Sequence, residues 1–247
     1  MLSKGEKLNE RKRLRELPAL ERPITVRLKF RKVGTLQYIS HLDLQRTFNR
    51  VIVRACIPVW YTKGFNPHAK LVFSTPLSVG AQSEYEFLDI RIDRDMDCRE
   101  IMDRLNQELT EELMITDAYI PTKDFSEIAW ASYDVTICDP SITEKTKEEV
   151  ECTLSEAPLL MTKRTKAGEK EIDILPLIHS ASVSVDDESK QLSLSVILKA
   201  SSAEYLNPEL LISALKTKNK LLSGNPTEEW YTIMRTAVMT EDLSLFR

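Results

Sequence analysis

The chain has 247 residues, 42% of them hydrophobic and 7% aromatic, which is enough apolar material for one large domain or two of ordinary size. No run approaches the roughly eighteen consecutive apolar residues of a membrane span, and the opening MLSKGEKLNERKRLREL carries charge where a signal peptide needs an apolar stretch, so a cytoplasmic protein without membrane contact is expected. The net charge of −4 conceals a polarity: residues 1–80 hold 16 Lys+Arg against 5 Asp+Glu, and the remainder holds 18 against 33.

Residues 1–20 are dense in charge and reach Pro18, so they read as a basic N-terminal tail or a loosely docked helix, with Arg11, Lys12, Arg13 and Arg15 either solvated or in reach of nucleic acid. From Ile24 the segment ITVRLKFRK alternates, which puts Val26, Leu28 and Phe30 on one face of a strand and Arg27, Lys29 and Arg31 on a basic outer face. SHLDLQRTFNRVIVRA follows as a helix: Leu44, Phe48, Val51 and Ala55 share one side, and Ser40 with Asp43 forms a capping box that starts the helix near His41.

IPVWY is a short extended segment, YTKGFNPHAKL a loop, and KLVFS and YEFLDIRID are strands, the latter burying Tyr85 and Phe87, with Leu88 and Ile90 also in play. DCREIMDRLNQEL is a helix with Ile101, Leu105 and Leu109 inward, and LMITDAYIP closes as a strand. The order β-α-β-β-α-β then recurs. WASYDVTI, the helix ITEKTKEEVECTLSE, two extended segments joined at Lys166-Ala167-Gly168, QLSLSVILKA, the Pro208-initiated helix NPELLISALK and EWYTIMRTAVM complete the chain. The expected fold is therefore α+β, two tandem ferredoxin-like units with antiparallel sheets: a basic domain over 21–125 and an acidic one over 126–247.

Several chemistries are excluded by spacing. Cys56, Cys98, Cys138 and Cys152 are 42, 40 and 14 positions apart, which fits neither a zinc knuckle nor an iron–sulfur motif, so no cluster or other cofactor is expected in this chain. There is no GxGxxG and no GxxxxGK[ST]. A metal would need a third ligand beside His41 and His68, and the capping role already accounts for Asp43.

What remains is a candidate binding surface. Gly64 and Asn66-Pro67 make a turn by themselves, but Tyr61, Lys63, His68 and Lys70 are not needed for one, and cations beside aromatics suit a phosphate backbone with stacked bases. Arg46, Arg50 and Arg54 form a row opposite the apolar helix face, either solvated or tracking phosphates. The basic first third faces a polyanion on this reading; the alternative is attraction between the two ends of the molecule. Candidate substrate or RNA contacts are Arg50, Arg54, Tyr61, Lys63, Gly64, Asn66, His68 and Lys70, with His41 and His68 as candidate proton carriers and His179 structural.

Phe30-x-Lys32-x-Gly34, Tyr38-Ile-Ser-His-Leu-Asp43, Arg50, Arg54-Ala55, Pro58, Tyr61-Thr62-x-Gly-Phe-Asn-Pro-His68, Lys70-Leu71, Pro76-Leu77-x-Val-Gly80 and Ser83-x-x-Glu86-Phe-Leu-Asp89 resemble a family of uncharacterised bacterial proteins encoded beside, or fused to, a radical S-adenosylmethionine protein. The resemblance covers about residues 27–90 and departs at Ala69, where the family pattern has proline. It implies a radical S-adenosylmethionine partner that carries the iron–sulfur cluster and S-adenosylmethionine itself. The family's usual gene neighbourhood points to RNA or ribosome metabolism, and no catalytic residue is carried over. The expected role is an accessory protein that recognises RNA or an RNA-bound substrate; the alternatives are a metal-independent RNA-processing enzyme using His41 or His68, and a protein–protein adaptor.

Overall fold

Strand β1 (Ile24–Lys32) holds Val26, Leu28 and Phe30 in the core of the first of two units into which the chain divides. The computed structural model describes residues 4–165 and 168–247; the side chains of Arg11 and Arg15 and the predicted turn residues Lys166 and Ala167 lie outside the described set. Unit 1 comprises Met1–Val79, Ser83–Phe125 and Arg247, and unit 2 comprises Gly80–Gln82 and Ser126–Phe246.

In unit 1, helix α1 (Lys4–Glu16) precedes β1, and α2 (His41–Arg54) follows it. After α2 come β2 (Val72–Phe73), β3 (Ala81–Ile92), α3 (Cys98–Asn106) and β4 (Leu113–Tyr119). The strand order is β4-β1-β3 with β2 on β3, and the β1 pairings with β3 and β4 and the β2–β3 pairing are antiparallel. Helix α2 forms because Leu44, Phe48, Val51 and Ile52 make one buried stripe, and it starts where the Ser40 hydroxyl accepts the Asp43 amide at 3.1 Å. Helix α3 starts likewise on Asp97, whose carboxylate accepts the Arg99 amide at 2.8 Å. The N-terminal stretch is helical and anchored: Leu14 is in the core and Lys7 pairs with Glu108 at 2.6 Å.

Two expectations about strand faces are corrected. The outer face of β1 is not an open basic surface, because Arg27 is 1% exposed, forks onto Asp89 at 2.7 and 2.8 Å, donates to the Lys123 carbonyl at 2.8 Å and stacks on Phe125. Lys29 lies 3.4 Å from the Tyr85 ring centroid. On β3 the core face is Leu88, Ile90 and Ile92, while Phe87 is buried on the opposite face; period 2 identifies the sets but not which one faces the helices.

Unit 2 contains β5 (Trp130–Cys138), α4 (Glu144–Ser155), the hairpin β6 (Leu160–Thr165) and β7 (Gly168–Asp173), β8 (Ile178–Asp186), β9 (Gln191–Lys199), α5 (Pro208–Asn219) and β10 (Trp230–Met239). Its sheet runs β10-β5-β9-β8, antiparallel throughout, and the β6–β7 hairpin is a separate two-stranded sheet. Alternate residues of β5 and β9 (Tyr133, Val135 and Ile137; Leu192, Leu194 and Val196) are buried, as are Leu211, Ile212 and Leu215 of α5. Among the described residues no helix is long and apolar enough to cross a membrane.

Candidate nucleic-acid interface

The stretch from Tyr61 to Lys70 is a loop with a stem. Tyr61 bridges Ala69, and the Thr62 amide donates to the His68 carbonyl at 3.0 Å. The Thr62 hydroxyl accepts the His68 amide at 3.2 Å and lies 3.2 Å from His68 Nδ1, which is also 3.2 Å from the Asn66 carbonyl. Ala69 is buried at the base. The turn itself uses Gly64, whose φ of +144° is open to glycine and strained for other residues.

This stem determines what its tip can do. His68 has one ring nitrogen engaged within the loop, so its first role is to hold the turn, with Nε2 left for a ligand. Asn66 contributes through its carbonyl. Lys63, Phe65 and Lys70 are exposed, Phe65 fully so, and among the described residues neither lysine has an ion-pair partner. Tyr61 is 45% exposed beside them. The loop and its base can therefore offer two ammonium groups and aromatic faces to an anionic, stackable ligand without first breaking an ion pair.

The arginine row on α2 divides. Arg50 is exposed with no ion-pair partner among the described residues, so it remains available to phosphate. Arg54 is committed: its Nε lies 3.2 Å from Glu108 Oε2 and its guanidinium donates to the Glu108 carbonyl at 3.2 Å. Arg46 pairs with Asp43 at 3.0 Å on the surface, where the net contribution is small. The Ser40 hydroxyl and then Arg46 hold the Asp43 carboxyl below the usual carboxylate range.

The two candidate histidines are not brought into one pocket. His41 packs edge-on against Phe73 at 4.9 Å and lines a cavity of about 330 Å³ in unit 1 that does not include His68. His179 is exposed and packs on Trp130 at 5.2 Å, in keeping with a structural role. Among the described residues no group of three His, Cys, Asp or Glu is placed to hold a metal ion, and the four cysteines are free thiols.

Sequence reasoning missed two things. Phe65 is not among the candidate contacts read from the sequence, although a large apolar side chain set between Gly64 and Asn66-Pro67 in a turn was the available signal, since turns run over the surface. Lys32 and Glu86, 3% and 6% exposed, line the His41 cavity; the signal for Lys32 was that it continues the Val26-Leu28-Phe30 face, where a charge is out of place.

These features define an α+β protein whose first unit displays a stemmed basic and aromatic loop. Residues 25–208 match the family described as an uncharacterized protein conserved in bacteria (DUF2344), and the chain belongs to that family. Among curated proteins none matches the chain. Among solved structures it is similar to a chain of a Cbf5-Nop10-Gar1 complex, at 9% identity and a TM-score of 0.44, over 88% of this chain and 50% of that one. It is also similar to a variant of Rhodococcus jostii RHA1 DypB in complex with heme, at 14% identity and a TM-score of 0.20, over 80% of this chain and 85% of that one. The chain thus spans half the length of the first of these.

Proposed function

We propose that the chain is a cytoplasmic accessory protein that recognises single-stranded RNA, or a substrate bound to RNA, through the 61–70 loop and Arg50, on behalf of a radical S-adenosylmethionine enzyme. The observation that carries the RNA reading is the loop, where Lys63 and Phe65 project at the tip and Lys70 stands exposed just past the hydrogen-bonded stem, neither lysine having an ion-pair partner among the described residues. Point charges alone would suit any polyanion; the exposed aromatic beside them favours an unpaired base over an acidic protein surface. The partnership rests on the resemblance of residues 27–90 to proteins linked with such enzymes, and the iron–sulfur cluster and S-adenosylmethionine would belong to the partner. The acidic residues 126–247 are the natural side for that partner to engage.

The finer architectural reading is two ferredoxin-like units. It is supported by the strand orders: β4-β1-β3 with β2 beyond β3 in unit 1, and β10-β5-β9-β8 in unit 2, each the 4-1-3-2 order of a split βαβ once the β6–β7 hairpin is set aside as an insertion.

The test is RNA binding by fluorescence anisotropy across a salt series. Wild-type affinity should fall steeply with salt, Lys63→Glu with Lys70→Glu should weaken binding by tenfold or more and flatten the salt slope, and Phe65→Ala should cost about 1–3 kcal/mol. Absence of salt-dependent RNA binding by the wild type, or charge reversals indistinguishable from it, overturns the reading.

A further inference from the structure

The cavity beside His41 is built unlike the loop. Its apolar walls include Ile39, Leu44, Leu71 and Phe73, and its polar groups include Lys32, Glu86, Ser74 and His41 beside Gln45 and Thr75. At about 330 Å³ it falls at the small end of ligand pockets, which run from roughly 300 Å³ upward. Two features separate it from an accidental surface cleft. Lys32 and Glu86 are both more than nine-tenths buried on the core side of the sheet, in register with Leu113 and Phe30 respectively. Among the described residues the Ser74 hydroxyl oxygen, itself buried, has no hydrogen-bond partner, a state that proteins rarely keep without a use.

The opposite charges select the ligand. A simple anion is attracted by Lys32 but repelled by Glu86, and a simple cation meets the reverse, so the cavity suits a neutral molecule with donors and an acceptor side by side. Lys32 donates to the Gln37 carbonyl at 3.3 Å, among its contacts within the protein; an ammonium has three N–H groups and a carboxylate about four acceptor positions, so each can serve a ligand as well as the protein. The apolar walls and the edge-on His41–Phe73 pair suit an aromatic ring.

We infer that this cavity receives a single extruded nucleobase, and specifically guanine. Guanine presents two adjacent donors, N1–H and the N2 amino group, to one carboxylate, with the O6 acceptor alongside for an ammonium. Adenine and cytosine offer one amino donor next to a bare ring nitrogen, and uracil flanks its single imide donor with carbonyls that a carboxylate repels. Glu86 would read the donor pair, Lys32 would read O6, and Ser74 would gain its missing bond. The inference rests on the RNA reading and names the base that the loop would deliver: the loop joins this cavity directly through Leu71, Val72 and Phe73.

Guanosine, inosine, adenosine, cytidine and uridine, none of which carries a phosphate, are titrated into the full chain with NMR observation of the His41 and Phe73 rings, beside the RNA-binding assay. Guanosine should bind and shift those rings, inosine should bind about tenfold more weakly for want of the N2 amino group, and the other three should not saturate. Ser74→Ala and His41→Ala, at positions outside the fully buried core, should weaken guanosine binding severalfold. Glu86→Gln, with its folding checked by thermal melting, should remove the preference over inosine. No guanosine binding together with intact RNA binding overturns the pocket and leaves the loop reading standing. Guanosine binding without RNA binding overturns the loop reading instead. Equal binding of all five nucleosides overturns the guanine assignment.

Discussion

Arg27 has its cation almost wholly out of water, and it is kept there by the two-pronged contact with Asp89, the Lys123 carbonyl and the face of Phe125. Removing one member of such a pair strands the other. Arg27→Ala should therefore destabilise the protein by about 3–5 kcal/mol in urea titrations, whereas Arg27→Met with Asp89→Leu should recover most of the loss. A second residue-scale prediction concerns Tyr231, whose hydroxyl donates to Glu209 at 2.8 Å. Burial, followed by the bond and charge of Glu209, pushes its pKa up to about 12. A raised folded pKa means that this stabilisation is complete below the ordinary phenol value near 10 and is lost as pH rises through about 12. An alkaline absorbance titration should show a late phenolate step that disappears in Tyr231→Phe.

At the scale of elements, the segment that feeds α2 is held at two successive residues, Gly34 and Thr35. Gly34 has φ of +62°, and a Cβ there would lie 2.1 Å from Glu112 Oε1. That carboxylate accepts the Thr35 hydroxyl at 2.7 Å and the Thr35 amide at 3.0 Å, and these bonds, the hydroxyl's first, hold it below the usual carboxylate range. Gly34→Ala should cost about 1–2 kcal/mol from the left-handed backbone alone, and in addition should return the Glu112 pKa toward its ordinary value by NMR titration. The depressed pKa has a sign: the Thr35–Glu112 contribution is present above the ordinary glutamate value and is lost as pH falls through the lower folded one. Ser40→Ala should cost about 1 kcal/mol through loss of the α2 cap. That cap was legible because Ser40 and Asp43 stand three apart before an apolar stripe, a local pattern that needs no knowledge of the rest of the chain.

For the whole molecule, the charge polarity is real in the sequence but only part of it is available to a partner. Lys7, Arg13, Arg27, Arg46 and Arg54 are tied to carboxylates, so the positive surplus of residues 1–80 is concentrated in fewer groups than composition suggests. If Lys63, Lys70 and Arg50 carry the polyanion contact, Arg50→Ala should lower RNA affinity severalfold and reduce the salt slope by about one phosphate's worth. Reversing Lys145 and Lys218, exposed on the helices of unit 2, should change it by less than about twofold, since the proposal assigns no phosphate contact to either.

The sequence by itself determined the order of strands and helices, the Ser40 cap of α2, the Pro208 start of α5, the loop turn and the lopsided charge, because each follows from neighbours close along the chain. Only the tertiary structure decided that Arg27 is buried against Asp89, that Arg54 is committed to Glu108, that His41 and His68 stand in different surroundings, and that Lys32, Glu86 and Ser74 share a cavity. Those outcomes depend on strand register and helix placement between residues as much as 62 positions apart, and a local pattern carries no information about the partner on the far side of such a contact.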